Sequence, residues 1–340
     1  MKNYLIQYLK GSRILMYMLK QGLLFKNIIL FRKCPNSKSS NIFDYIKLSV
    51  SQPLSLNELV FDNNYYGIGF WIKEYIGSKK HLNAYIEHGL FLGSYVAKDT
   101  NIWYPNKVIT FGDYREKQLI KKTNKQIIKI GPYIHYADDY IDETEFNILK
   151  KELGRLLLVF PSHPPTGASS NYDIHEFISE IEKIKNNYDT VVISLFYSEI
   201  KNQTLLNLYL NNGYKIFTSG NRYDPYFMSR QKTMIKLADM TISNKVGTHV
   251  GYCIFLEKPH WIFPQDDSYK AINTTGKQNM SFRDYDEADS LVKAQNEITQ
   301  QFISYSLNIT DSQIKVINKY WGLDYIKTKK ELRKLLLDGI

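Results

Sequence analysis

Short apolar runs alternate with longer amphipathic segments through most of this chain, and that alternation leaves few folds open to it. Runs with strand character stand at Leu82–Glu87, Val108–Phe111, Ile127–Ile130, Arg155–Phe160, Thr190–Phe196, Tyr214–Thr218, Met240–Ser243 and His260–Phe263. Several carry no polar face, as a strand needs when helices cover both sides of a parallel sheet. Between them, Asp173–Asn187 sets Phe177, Ile178, Ile181 and Ile184 at helical spacing, with Asp173 as a candidate N-cap. Asn202–Asn211 and Tyr226–Ala238 read the same way, and Gly213 suits a helix C-terminus. The order βαβα predicts an α/β fold with parallel sheets.

An acidic, polar stretch, YIHYADDYIDETEF, follows Gly131-Pro132, and a new strand series starts at Arg155. We therefore expect two Rossmann-like domains, residues 1–145 and 146–310, with a cleft between them. Residues 311–340 read as amphipathic helices packing back on the N-terminal domain. The 340 residues suffice for a large core, and 44% hydrophobic with 23% charged residues excludes a disordered chain or a fibre. Two cysteines, Cys34 and Cys253, exclude a disulfide framework and a cysteine-based zinc site, and fit a reducing compartment.

Lys10, Arg13, Lys20 and Lys26 interrupt the apolar N-terminus, so neither a membrane span nor a secretory signal is expected there. The same basic, amphipathic segment suits the cytoplasmic face of an anionic membrane, or equally a helix packed on the N-terminal domain. The net charge of +10 admits nucleic acid, a membrane surface or phosphorylated small molecules as partners. No dense Lys/Arg stripe or known motif points to nucleic acid, which is not an expected partner.

In open α/β sheets ligands bind beyond the C-terminal ends of the strands, and four loops there carry chemistry. Glu87-His88-Gly89 offers a histidine as general base, with Glu87 to orient it or to act as the base itself. Ser162-His163-Pro164 opens a loop of prolines and small hydroxyls suited to a phosphate or ribose. Arg222 stands in a third loop, where it could hold a phosphate or carboxylate, and Asp224 could cap the helix that follows. The fourth, Ser243-Asn244-Lys245-Val246-Gly247-Thr248-His249, runs from a strand into the helix Val250–Leu256, a generic anion site. Each loop also reads as an ordinary connector. The P-loop spacing is absent, and Gly67-Ile68-Gly69 lacks the third glycine of a dinucleotide fingerprint. Neither His81 with His88, His163 with His175, Asp138-Asp139 nor Asp266-Asp267 has a metal-ligand pattern, so no metal is expected.

Taken in order, Glu-His-Gly, ITFGDYR, IGPYI, Ser-His-Pro and ADMTISNKVGTHVGYCIFLEKP resemble glycosyltransferases of the GT-B architecture from bacterial surface-polysaccharide pathways. The resemblance covers roughly residues 80–265 and leaves 1–75 unmatched. Ser162-His163-Pro164 is similar to the His-Pro motif of bacterial sialyltransferases and polysialyltransferases. Glu87-His88-Gly89 resembles the catalytic His-Gly of teichoic-acid polyol-phosphate transferases. The resemblance implies an acceptor-side domain before residue 146 and a nucleotide-sugar domain after it. The glutamate pair of retaining GT-B enzymes is missing, which favours inversion. The implied enzyme is a metal-independent glycosyltransferase moving a sugar from a CMP- or UDP-sugar to a capsule, lipopolysaccharide or other surface glycan. Its nucleotide-sugar is a co-substrate, and no cofactor is expected. His88 or Glu87 would be the base, with Ser162, His163, Pro164, Arg222, Ser243, Asn244, Lys245, Gly247, Thr248 and His249 around the donor. A CDP-polyol phosphotransferase and a non-hydrolysing nucleotide-sugar epimerase share the fold and remain open, as does a basic membrane- or nucleic-acid-binding module without enzymatic activity.

Overall fold

The computed structural model describes residues 8–30, 41–50, 56–163, 168–169, 172–265, 270–271 and 285–337. All eight expected strands are present, in two parallel sheets. The first sheet holds β1 (Ala84–Ile86), β2 (Lys107–Thr110) and β3 (Gln126–Lys129) in that order. The second holds β4 (Leu156–Phe160), β6 (Thr190–Ser194), β7 (Lys215–Phe217), β8 (Met240–Ser243) and β9 (His260–Ile262), in the order β7-β6-β4-β8-β9. A two-stranded antiparallel pair, β5 (Ala168–Ser169) with β10 (Lys270–Ala271), was not expected. Five of the eight strands are shorter than the apolar runs, because the end residues keep only a single ladder bond. Glu87 N–H bonds the Ile109 carbonyl, and Leu195 N–H that of Phe217, one step past the paired residues.

The apolar run of β4 is explained by its place at the centre of its sheet. Leu156, Leu158 and Phe160 pack into one core cluster, while Leu157 and Val159 enter another on the opposite face. That is the two-residue alternation of a strand whose faces are both buried. The second cluster is roofed by α6 (Ile174–Lys185) through Phe177, Ile178 and Ile181. Asp173 caps that helix, accepting from Glu176 N–H, and Asn202 caps α7 (Gln203–Asn211) by the same bond to Leu205 N–H. The first cluster reaches into both sheets, from Ile86 and Ile109 to Leu156 and Ile262. The halves of the chain therefore share apolar core.

Chain order around β4 places the site. From β4 the chain steps outward to β6 and β7, then crosses back to β8 and β9 on the other side. The loops after β4 and β8 thus diverge from neighbouring strand ends, the switch point at which doubly wound sheets bind ligands. Ser162 N–H donates to Asn244 Oδ1 at 2.7 Å and clips these two loops together.

Ten further helices complete the described structure. These are α1 (Arg13–Leu30), α2 (Tyr45–Ser49), α3 (Ile68–Ile76), α4 (Asp113–Leu119), α5 (Glu143–Leu153), α8 (Phe227–Leu237), α9 (Thr248–Phe255), α10 (Tyr285–Phe302), α11 (Asp311–Trp321) and α12 (Lys329–Leu337). Between α11 and α12 lies a short 3-10 turn, and the pair packs on the first half of the chain, α11 against α4 and α12 against α3. α11 also touches α9, where Trp321 lies so close over Gly251 that an added Cβ would meet its ring at 2.3 Å. Gly67 begins α3 at φ 72°, and a Cβ there would meet the Pro225 carbonyl at 2.1 Å. Gly67 thus lets the two halves pack closely, while Gly69 packs within the first half, where a Cβ would meet the Asn63 carbonyl at 2.6 Å. Among the described residues no helix is long and apolar enough to cross a membrane.

Candidate functional site

A cavity of about 400 Å³ opens at the C-terminal ends of both sheets. The first sheet contributes His88, Gly89, Leu90 and Phe91, just beyond β1. The second contributes Phe160–His163 at the end of β4, Ser194–Phe196 at the end of β6, and Lys245–His249 between β8 and α9. The two walls are joined by a hydrogen bond, Leu90 N–H to Thr248 Oγ1 at 3.1 Å. The lining holds one lysine, three histidines and no carboxylate. A concavity with that balance suits a ligand carrying negative charge.

His88 stands at the first wall, with Tyr65 edge-on at 4.9 Å and Phe91 at 5.3 Å. Its Nδ1 is buried without a hydrogen-bond partner and lies 3.8 Å from Asp62 Oδ2. Burial moves the imidazole pKa below 6.5, and the Asp62 carboxylate opposes that shift. The ring is therefore neutral at neutral pH, the form a general base requires. Asp62 has other neighbours, accepting from Lys10 Nζ at 3.5 Å and from Tyr85 at 3.4 Å.

Glu87 does not line the cavity. It is fully buried, and its carboxylate forks with Arg115, Oε1 to Nη2 at 2.6 Å and Oε2 to Nε at 3.1 Å. Thr110 Oγ1 donates to the same carboxylate at 2.6 Å. The strand turns adjacent side chains to opposite faces, so Glu87 and His88 diverge and no hydrogen bond joins them. The expectation that Glu87 orients or replaces His88 is corrected on this geometry. What the pair anchors is the loop itself, because Arg115 also donates to the carbonyls of Gly93 and Tyr95 at 3.1 and 2.8 Å.

On the second wall, Gly247 is the N-cap of α9, and neither a capping side chain nor an acidic residue covers that helix end. The partial positive charge of a helix N-terminus is thus presented to the cavity beside Lys245. His163 lies flat on Phe196, ring centroids 4.4 Å apart at 11°, forming an aromatic platform. His249 stacks on Phe160 at 4.6 Å and 18°. Burial pushes its pKa down to about 3, so it is neutral and adds no cation to the site. Its buried Nε2 has no hydrogen-bond partner.

Three further expected residues are used elsewhere. Ser243 Oγ is completely buried in the sheet, donating to the Lys245 carbonyl at 3.0 Å and lying 2.9 Å from His260 Nε2. Asn244 spends its amide on the clip to Ser162 and on Gln265. Arg222 is absent from the lining. Its guanidinium lies over the rings of Tyr65 and Tyr223, 5.4 Å from each, and its carbonyl accepts from Tyr66 N–H. Asp224 accepts from Tyr226 N–H and pairs with the buried Arg230 at 2.5 Å, which makes that loop largely structural. Pro164 lies outside the described residues, as do Asp266-Asp267.

Sequence reasoning passed over Asp62, Tyr66, Phe91 and Phe196. Asp62 sits in a 3-10 turn, FDNNYYG, with no spacing that ties it to His88, and only the packing of that turn on β1 brings them together. Among the described residues no three His, Cys, Asp or Glu side chains group as ligands for a metal ion. No protein-family model matches the chain, and no curated protein matches it.

Proposed function

We propose that this chain is an inverting glycosyltransferase of GT-B architecture that takes its sugar from a nucleotide-activated donor, CMP- or UDP-linked. The observation that carries the reading is the cavity: one imidazole from the first wall faces a helix N-terminus and a lysine on the second, with no carboxylate between. In this reading the donor phosphates rest at Gly247 and Thr248, with Lys245 as counter-charge. The nucleobase lies toward the His163–Phe196 platform. His88 takes the proton of an acceptor hydroxyl on Nε2, the hydroxyl oxygen bonds the anomeric carbon, and the carbon–oxygen bond to phosphate breaks. The nucleotide leaves with the electron pair, its charge held by the helix end and Lys245 rather than by a metal. The acceptor is a surface glycan under construction, and the chain works in the cytoplasm, where nucleotide sugars are available.

Thermal-shift titration with CMP, UDP, CDP and GDP tests this, because a ligand that binds the folded state raises the midpoint by mass action. CMP or UDP stabilises the chain, and Lys245→Ala loses most of that shift. Stabilisation by none of the four refutes the reading. A preference for CDP moves it to polyol-phosphate transfer.

A further inference from the structure

Helix α1 turns the wrong face outward for a helix that merely covers a core. Met16, 1% exposed, packs with Leu56 and Leu59, and Leu23 joins them. At about 100° per residue, Ile14, Met18, Phe25 and Ile29 fall within about 60° of arc directly opposite Met16. They are 74%, 62%, 67% and 56% exposed. The stripe is roughly 22 Å long. Arg13 and Lys26, both exposed, flank it on either side.

Charge identifies what covers this stripe. Residues 1–43 contain eight Lys and Arg and not one Asp or Glu. Among the described residues the exposed charges beside the stripe, Arg13 and Lys26, are cationic, and an anionic bilayer offers hydrocarbon to the apolar strip and phosphates to these two side chains. Trp103 adds an independent sign. It is 74% exposed and lies beside Gly11 at the entry to α1, where a Cβ would meet its ring at 3.9 Å. Tryptophan with one apolar side and one polar atom is the side chain that settles at a headgroup layer.

We propose that α1 lies in the surface of an anionic bilayer, with Ile14, Met18, Phe25 and Ile29 inserted below the headgroups and Arg13 and Lys26 on the lipid phosphates. The helix lies in the plane and does not span, because Arg13, Lys20 and Lys26 leave it too polar to cross a bilayer. The inference stands whether or not the cavity transfers sugars. If it does, the bilayer also positions the site, because Lys10, at the entry to α1, bonds the Asp62 that neighbours His88.

The test is sedimentation of the full chain with vesicles of phosphatidylglycerol in phosphatidylcholine, against phosphatidylcholine alone. The protein binds the mixed vesicles, loses binding as salt screens the lipids, and binds neutral vesicles at least about tenfold more weakly. Arg13→Gln and Lys26→Gln each weaken binding about fivefold. The double variant Met18→Gln, Phe25→Gln weakens it at least about tenfold and keeps the parental thermal midpoint, since the packed Met16 and Leu23 are untouched. Equal binding to both vesicles, binding to neither, or indifference to Met18 and Phe25 overturns the proposal. So does a dimer in solution that Phe25→Gln dissociates, which would give the stripe to a second copy.

Discussion

The Leu90 backbone N–H and the Thr248 hydroxyl, 158 positions apart in the chain, meet at 3.1 Å across the cavity. Thr248 is also the first residue of α9, and its carbonyl accepts from Trp321 Nε1 at 3.1 Å. One residue therefore links the first sheet, the candidate phosphate end of α9 and the C-terminal helices.

Removing that hydroxyl acts on two readouts at once. Thr248→Val leaves the Leu90 N–H without its acceptor and lowers unfolding stability by about 1 kcal/mol in urea titration. Affinity for the stabilising nucleotide falls roughly two- to tenfold, the value of one lost hydrogen bond. Thr248→Ser restores both. A Val variant that loses stability but binds nucleotide as the parent does confines this residue to bracing.

Glu87 is expected to behave as a structural anion. Glu87→Gln leaves the buried Arg115 guanidinium uncompensated, which costs about 3–5 kcal/mol of stability. Replacing both partners, Glu87→Gln with Arg115→Met, returns much of it, because no buried charge is then left alone. If Glu87→Gln instead unfolds at the parental urea midpoint and has lost kcat, Glu87 is the base.

Acid weakens the fold through buried histidines. Burial pushes the pKa of His249 down to about 3, and that of His260 well below 6.5. Unfolded, both imidazoles titrate near 6.5 and bind protons that the folded state refuses. Their contribution is complete above that pH and is lost as pH falls from 6.5 toward 3, by up to about 1.4 kcal/mol per histidine per pH unit. His249→Phe keeps the stack on Phe160 and flattens part of this slope. Urea midpoints at several pH values check it, and a parental slope in that variant assigns the acid response to other groups.

The strands were legible in the sequence because most are buried on both faces, so burial alone writes them as apolar runs. Their ends were legible to within three residues, since pairing frays one bond at a time. The helix caps Asp173 and Asn202 were legible because capping is local. The cavity loops could be named from their position after the strands: His88, Gly89, Ser162, His163, Lys245, Gly247 and His249 all reach the lining. Which side chain of a loop faces the ligand was not legible. Glu87 and Ser243 fall on the inner side of a strand end, where Arg115 and His260 hold them, and strand register decides that. Asp62 was invisible because its link to His88 is purely tertiary.

The account stands or falls on His88, the one imidazole of the first wall. With a nucleotide sugar and acceptor in hand, His88→Ala lowers kcat by roughly 10²–10⁴-fold, the usual size of general-base catalysis, while the nucleotide thermal shift stays parental because the donor rests on the second wall. In the parent, kcat/KM falls on acidification with a midpoint below 6.5, since burial depresses this imidazole, and Asp62→Asn moves the midpoint lower still. A His88→Ala chain with near-parental kcat contradicts the account.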